Sequence, residues 1–307
     1  MFSLATLKVA GKPVPAIRIQ DSYWALADVA PELIAAQPLR GMMNLFDDWA
    51  KSEAVLLPLA EALAAGRNKA APLPAPAGPA DILSPLLYPN KLVLGGANYY
   101  DHMRLDAKRE SYNKADYIPI FFLKPPTTTL VGGGPVVQYP PDVQRFDYEI
   151  EFAAVIGKRV RHLTLENALD CVAAYTIALD MSARDLQRNP RHMANFDLFN
   201  GKCFDSACPL GPGIVPARFI DPANTPLKLW VNGELRQDSN TSQMIWSLAE
   251  QLVDITKYVT LEPGDVVSTG TPAGTALLDG RYLKVGDTID CEAGLLGRLS
   301  VSVVEPE

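Results

Sequence analysis

Histidine and cysteine are scarce in this chain, three of one and four of the other in 307 residues. The histidines, His102, His162 and His192, are too few for a histidine-rich zinc centre, so any bound metal has to lean on oxygen ligands. The cysteines, Cys171, Cys203, Cys208 and Cys291, form no C-x-x-C pair and are too few over this length for a disulfide framework, which leaves buried free thiols as the expectation. A positive surplus is also missing. With a net charge of -7, the chain lacks the basic excess that binding to a phosphate backbone needs, and no nucleic-acid partner is expected. No run approaches the roughly 18 apolar residues of a membrane span. The opening MFSLATLKVAGKPVP has no charged segment followed by an apolar one. A cytoplasmic protein without a membrane partner is expected.

What the chain does have is an apolar content of 48%, enough to bury a large core in one domain or two. Composition breaks most clearly at residues 69–90, KAAPLPAPAGPADILSPLLYPN, where six prolines fix φ and remove backbone donors. Before the break, residues 2–9 and 14–20 read as a β-hairpin about a Gly11-Lys12 turn, followed by helical patterning over 44–65. After it, strand-length apolar runs recur between glycine and proline punctuation: KLVLGG, IPIFFLK, YEIEFAAVIG, AAYTIALD, KLWVNG, DVVSTG, DTIDCEA and RLSVSVV. Helical patterns there are few, chiefly 165–171 and 242–258. The division expected is a small N-terminal α+β domain over 1–70, a proline-rich linker over 71–90, and a β-dominated domain over 91–307. So many strands favour closure into a barrel or a folded sandwich, which removes exposed edges.

Carboxylates carry the strongest chemical signal. In Phe146-Asp147-Tyr148-Glu149-Ile150-Glu151-Phe152, side chains that alternate along a strand put Asp147, Glu149 and Glu151 on one face. An arbitrary E-x-E is usually a solvated strand face. This one runs into Ala153-Ala154-Val155-Ile156, a run suited to burial on both faces, where like charges are costly without a cation. A further acid, Asp180, ends the apolar run 173–179 and so sits at the mouth of a buried strand. Glu149, Glu151 and Asp180 together suit Mg2+, with Mn2+ and Ca2+ as alternatives, because hard cations prefer oxygen and keep positions open for water or substrate.

Six ordered motifs then give the chain a family resemblance: G-x-N-Y-x-x-H at 96–102, F-L-K-P-P-T at 122–127, D-Y-E-x-E at 147–151, S-A-R-D-L-Q at 182–187, G-K-x-F-D at 201–205, and S-T-G-T-P at 268–272. Each alone is weak, but six in order are specific, and over about 91–304 the chain resembles the fumarylacetoacetate hydrolase family. The resemblance implies an α+β, β-dominated fold, a mixed β-sheet roll or barrel with a smaller N-terminal domain, assembled as a homodimer. It assigns metal binding to Glu149, Glu151 and Asp180, the same residues that the carboxylate pattern picks out.

The resemblance also suggests roles for residues whose plain reading is structural. His102 matches a general base. Many family members carry an acid three positions after that histidine, but this chain has Leu105 there, so Asp106 or Glu110 would have to supply it when the loop 103–117 closes, or the water-activating step differs. Lys202, otherwise one more surface ammonium, matches a substrate contact that neutralises developing enolate charge. Arg184 and Gln187, three apart, can point the same way on one helical turn. Arg184 would grip a substrate carboxylate; an internal ion pair with Asp185 or Asp205 is the plainer alternative. Thr271 would donate to an oxyanion or simply build a turn, Lys124 would shape the site entrance, and Tyr99 would line the pocket. The chemistry implied is metal-dependent hydrolysis of a carbon-carbon bond in a small 2,4-diketo acid or acylpyruvate, in a catabolic pathway. Decarboxylation of an oxaloacetate-like acid, keto-enol isomerisation and dienoate hydration are alternatives on the same platform, and Leu105 favours decarboxylation or isomerisation because neither needs an activated nucleophilic water. A non-catalytic metal-binding protein on an enzyme scaffold is the competing class.

Overall fold

The computed structural model describes residues 1–34, 38–109 and 113–306. Every one of the eight apolar runs forms a strand: Leu92–Gly96, Ile120–Leu123, Ile150–Ile156, Val172–Leu179, Pro226–Val231, Val266–Ser268, Thr288–Glu292 and Arg298–Val304. Strands that alternating hydrophobicity does not reveal join them. Cys208–Pro216 is broken by two prolines and two glycines between its ends, and Glu234–Asn240 is mostly polar. The helical pattern over 44–65 resolves into a 3-10 segment, Pro38–Phe46, and the helix Trp49–Ala64, which Asp48 caps by accepting from the Lys51 amide. The pattern over 165–171 yields only the 3-10 turn Ala168–Cys171, while the pattern over 242–258 gives the helix Leu248–Tyr258, closed at its start by a Ser247/Glu250 capping box.

The main sheet is mixed. Its path runs Ser22–Ala25, Lys12–Ile19, Ser3–Val9, Cys208–Pro216, Val172–Leu179, Ile150–Ile156, Val266–Ser268, Leu92–Gly96, Ile120–Leu123. Pairing is antiparallel along this path except between Val266–Ser268 and Leu92–Gly96. A second sheet of five strands covers one face. The expected closure into a barrel does not occur among the described residues: the path is open, and its faces are buried by packing against the second sheet and the N-terminal helix. Consecutive residues of the central strand show this directly. Phe152, Ala154 and Ile156 enter the core shared with Leu227, Ile289 and Val301 of the second sheet, while Ala153 and Val155 enter the core shared with Phe46 and Leu56. The N-terminal hairpin is continuous with the main sheet through the Leu4–Ile214 pairing. The proline-rich stretch lies along that hairpin, with Ile82–Leu83 paired to Leu7 and Thr6.

No helix of the described residues is long and apolar enough to cross a membrane.

Candidate active site

The three acids meet where two central strands end. The antiparallel register sets Ile150 opposite Leu179 and Glu151 opposite Ala178, and the Asp180 amide donates to the Glu149 carbonyl at 2.9 Å. The chain is not one continuous strand through the acidic motif, as alternation predicts. Phe146–Asp147 pairs with Ser182–Ala183, the backbone breaks at Tyr148 and Glu149, and pairing resumes at Ile150. The break turns Asp147 away from the cluster. Its carboxylate accepts from Arg184 Nε at 2.8 Å and from the Ala276 amide at 2.8 Å.

One carboxylate oxygen from each of Glu149, Glu151 and Asp180 lies within 4.8 Å of the others, and all three residues are buried. Their charges are handled unequally. Burial alone would raise the Glu149 carboxyl, but the Arg184 guanidinium and Lys202 ammonium outweigh it and hold the group well below the ordinary carboxylate range. Glu151 has no such neighbour in contact. Burial, then the charges of Asp180 and Glu149, push it well above that range. Its Oε2 accepts from the Ser268 hydroxyl and, at 3.1 Å, from the Gly270 amide, whereas its buried Oε1 has no hydrogen-bond partner among the described residues. A buried, partnerless carboxylate oxygen beside two more anions is a donor set that fits a divalent cation.

Lys202 bridges two of the three acids, its Nζ 2.7 Å from Glu149 Oε2 and 2.5 Å from Asp180 Oδ2. It also lines the cavity above them. Lys124 takes a different place from the one expected. It is 1% exposed, its Nζ lies 2.7 Å from Asp180 Oδ1 and donates to the Ala207 carbonyl at 2.6 Å, so it supports Asp180 from beneath and does not shape an entrance. Arg184 pairs with Asp147 and Glu149, neither of the acids suggested by sequence, because the break at Tyr148 brings both within reach. Gln187 accepts from Arg184 Nη1 at 3.3 Å, as their spacing predicts, and both line the cavity.

His102 lies in the short helix Tyr100–Leu105, and Leu105 itself points outward, 44% exposed. The acid that meets the histidine is one residue later. Asp106 Oδ2 is 2.8 Å from His102 Nδ1, i and i+4 being neighbours on one helical face. Asp106 is held from the other side by the Gly274 amide at 3.1 Å, the Thr275 amide at 3.1 Å and the Thr275 hydroxyl at 2.9 Å. With these donors aimed at it, Asp106 acts as an acceptor, so the hydrogen-bond pattern makes His102 Nδ1 the donor toward it and leaves the Nε2 lone pair free. Glu110, the other acid considered, lies outside the described residues.

One further expectation needs correcting. Tyr99 is fully buried and does not line the cavity: it precedes the Tyr100–Leu105 helix, where its backbone bridges to Met244 and its ring packs into the core. Thr271 lines the cavity, and its hydroxyl donates to the Ile150 carbonyl at 2.8 Å, which matches the turn-building alternative for this residue. Residues that sequence reasoning left unassigned do much of the positioning. Ser268 and Gly270 stand in the S-T-G-T-P motif and could have been read from it; Gly274, Thr275 and Gln237, which accepts from the Ile150 amide and donates to the Thr271 hydroxyl, each at 3.0 Å, carry no comparable signal.

The cavity above these groups has a volume of about 390 Å³ and is lined by His102, Glu149, Glu151, Asp180, Arg184 and Lys202, with apolar walls that include Phe122, Ile120 and Leu277. Three clustered acids, a neighbouring His–Asp pair and cationic side chains around one cavity are the groups of a metal-assisted enzyme site.

The chain belongs to the fumarylacetoacetate hydrolase family: residues 91–304 match the model of the fumarylacetoacetate (FAA) hydrolase C-terminal domain. It is 38% identical over 245 residues to a mitochondrial oxaloacetate tautomerase of Rattus norvegicus, covering 78% of this chain and 75% of that protein. Among solved structures, a fumarylacetoacetate hydrolase from Exiguobacterium antarcticum superposes over 100% of both chains with a TM-score of 0.77 at 29% identity. A fumarylpyruvate hydrolase from Pseudomonas aeruginosa, in complex with Mn2+ and pyruvate, matches 75% of this chain and 94% of its own with a TM-score of 0.63 at 33% identity.

Proposed function

We propose that this protein hydrolyses the carbon-carbon bond between the acyl group and the pyruvyl carbon of a small acylpyruvate, with Glu149, Glu151 and Asp180 holding Mg2+ or Mn2+. The observation that carries this reading is the His102–Asp106 pair, 2.8 Å apart, opening on the same cavity as the three acids. The cation, when bound, supplies Lewis acidity toward the 2-oxo-acid oxygens. The rest of the chemistry falls to side chains. His102 Nε2 takes a proton from water, and Asp106 stabilises the imidazolium that results. The hydroxide adds to the distal carbonyl carbon, the bond from that carbon to the methylene of the pyruvyl unit breaks, and its electron pair stays with the pyruvyl unit. Lys202 faces the negative charge that develops there, and reprotonation of that carbon gives pyruvate beside the released carboxylic acid.

A second reading is favoured by the 38% identity to a protein named as an oxaloacetate tautomerase. The same His102 would then move a proton between carbon and oxygen of an oxaloacetate-like acid without breaking a carbon-carbon bond. Incubation of the Mn2+-loaded protein with acetylpyruvate, fumarylpyruvate-type diketo acids and oxaloacetate, with products identified by NMR, separates the two. Stoichiometric pyruvate and carboxylic acid from a diketo acid is the expected outcome. Enol–keto exchange of oxaloacetate with every diketo acid left intact would replace hydrolysis by tautomerisation.

A further inference from the structure

The second sheet buries a glutamine where an apolar residue is the ordinary choice. Glu234–Asn240 is a mostly polar strand at the edge of that sheet; its Leu235 is 45% exposed, whereas Gln237 is fully buried. A glutamine side chain in the interior is costly unless its amide is satisfied. Here Oε1 accepts from the Ile150 amide at 3.0 Å, and Nε2 donates to the Thr271 hydroxyl at 3.0 Å and to the Pro272 carbonyl at 2.8 Å. A backbone donor on one side and a backbone acceptor on the other fix which end of the amide points which way.

The geometry of the central strand explains why these bonds are needed. The Glu149 carbonyl accepts from the Asp180 amide, so the backbone groups of Ile150 point to the opposite edge of the strand. The neighbour on that edge, Val266–Ser268, continues only as far as the Thr269 amide, which donates to the Phe152 carbonyl at 3.0 Å. The next amide, that of Gly270, turns to the Glu151 carboxylate at 3.1 Å. Ile150 thus lies beyond the end of the ladder, where a buried peptide group without a partner is costly. Two side chains take the place of the missing strand: Gln237 accepts from the N–H, and the Thr271 hydroxyl donates to the C=O at 2.8 Å. Those two groups belong to the peptide units that join Ile150 to Glu149 and to Glu151.

Resting on the metal centre proposed above, we infer that Gln237 is a positioning residue for it. By standing in for a strand at Ile150, it fixes the two peptide units from which Glu149 and Glu151 project. Through Thr271 and Pro272 it ties their spacing to the loop whose Gly270 amide holds Glu151. Gln237 lies behind Thr271, outside the cavity lining, and acts on the cation only through these residues.

The test reads Mn2+ affinity, by electron paramagnetic resonance titration, beside the denaturant midpoint of the same proteins. Gln237→Met keeps the length of the side chain and loses its bonds; it should raise the Mn2+ dissociation constant about tenfold. Thr271→Val cuts the same network from its other end and should do likewise. The double variant should stay well short of the roughly hundredfold that independent effects would give. Leu229→Ala controls for general loosening, because Leu229 is buried opposite Gln237 in the strand register. It should lower the denaturant midpoint at least as far as Gln237→Met while leaving Mn2+ affinity at the wild-type value. Wild-type affinity in Gln237→Met, full additivity in the double variant, or an equal loss of affinity in Leu229→Ala would overturn the inference. If Gln237→Met does not fold, Thr271→Val decides: a tenfold loss supports the inference, and wild-type affinity overturns it. Tight binding by the wild type with no change in the variants removes the inference alone, whereas a wild type that binds no Mn2+ removes the metal centre and the inference together.

Discussion

At the residue scale, the acid that partners His102 is the point on which the chemistry turns. Leu105 stands where the family pattern has an acid, and from sequence alone that substitution argued against activated water. The helix supplies the explanation: Asp106, one position on, falls on the same face as His102 and is pinned by three donors from residues 274 and 275. Local spacing was enough to nominate Asp106, but the loop that fixes it lies 168 residues away and could not be read from the motif. Asp106→Asn tests the assignment. An asparagine amide can donate to Nδ1, which moves the ring proton to Nε2 and removes the base. Steady-state assays should show kcat falling by about 100-fold or more with Mn2+ affinity unchanged; a fall within threefold would mean that another group activates water.

At the element scale, the site depends on one irregularity and one tight loop. The irregularity is the break at Tyr148 and Glu149, invisible to a period-two pattern, which separates Asp147 from the two glutamates and gives Arg184 its pair of acids. The eight strands that the apolar runs predict are all present, the two central ones buried throughout, while Cys208–Pro216 escaped notice because its glycines and prolines read as turn signals. Proline and glycine are tolerated there by neighbours that fill the gaps, a tertiary effect. The loop at 274–276 supplies amides to Asp106 and Asp147 and needs Gly274. That residue has φ of 100°, and an added Cβ would lie 2.0 Å from the Arg236 carbonyl oxygen. Gly274→Ala should therefore cost on the order of 2 kcal/mol or more in denaturant unfolding and reduce activity with it. A variant as stable and active as the wild type would show that the loop does not set the geometry of the His–Asp pair.

At the scale of the whole molecule, the core that makes the fold also crowds three buried acids at the ends of its central strands. Apolar packing on both faces of the central strands was legible from their composition, and so was the crowding of acids at their ends; the open sheet path was not, because closure depends on which edges meet and no residue pattern records that. Burial of Glu151 gives the protein a pH signature. Its folded carboxyl is raised above the ordinary value of 4.5, so in EDTA the folded state binds more protons than the unfolded state as pH rises from that value through the raised one, and its contribution to stability declines across that window. Glu149 acts oppositely: its depressed group contributes stability above 4.5 that is lost only in more acidic solution. Melting curves in EDTA and in Mn2+ from pH 5 upward should therefore diverge as pH increases, since protons compete with the cation for Glu151. Parallel curves would mean that the raised carboxyl is not part of the metal centre.

The most direct test of the central claim is a Mn2+ titration followed by electron paramagnetic resonance, run on the wild type, Glu151→Ala and His102→Ala, with hydrolysis measured on the same samples. The wild type should bind one tight Mn2+ per chain and cleave an acylpyruvate, Glu151→Ala should lose both properties, and His102→Ala should bind Mn2+ like the wild type while hydrolysis disappears. Tight Mn2+ binding by Glu151→Ala, or unimpaired hydrolysis by His102→Ala, would contradict the account.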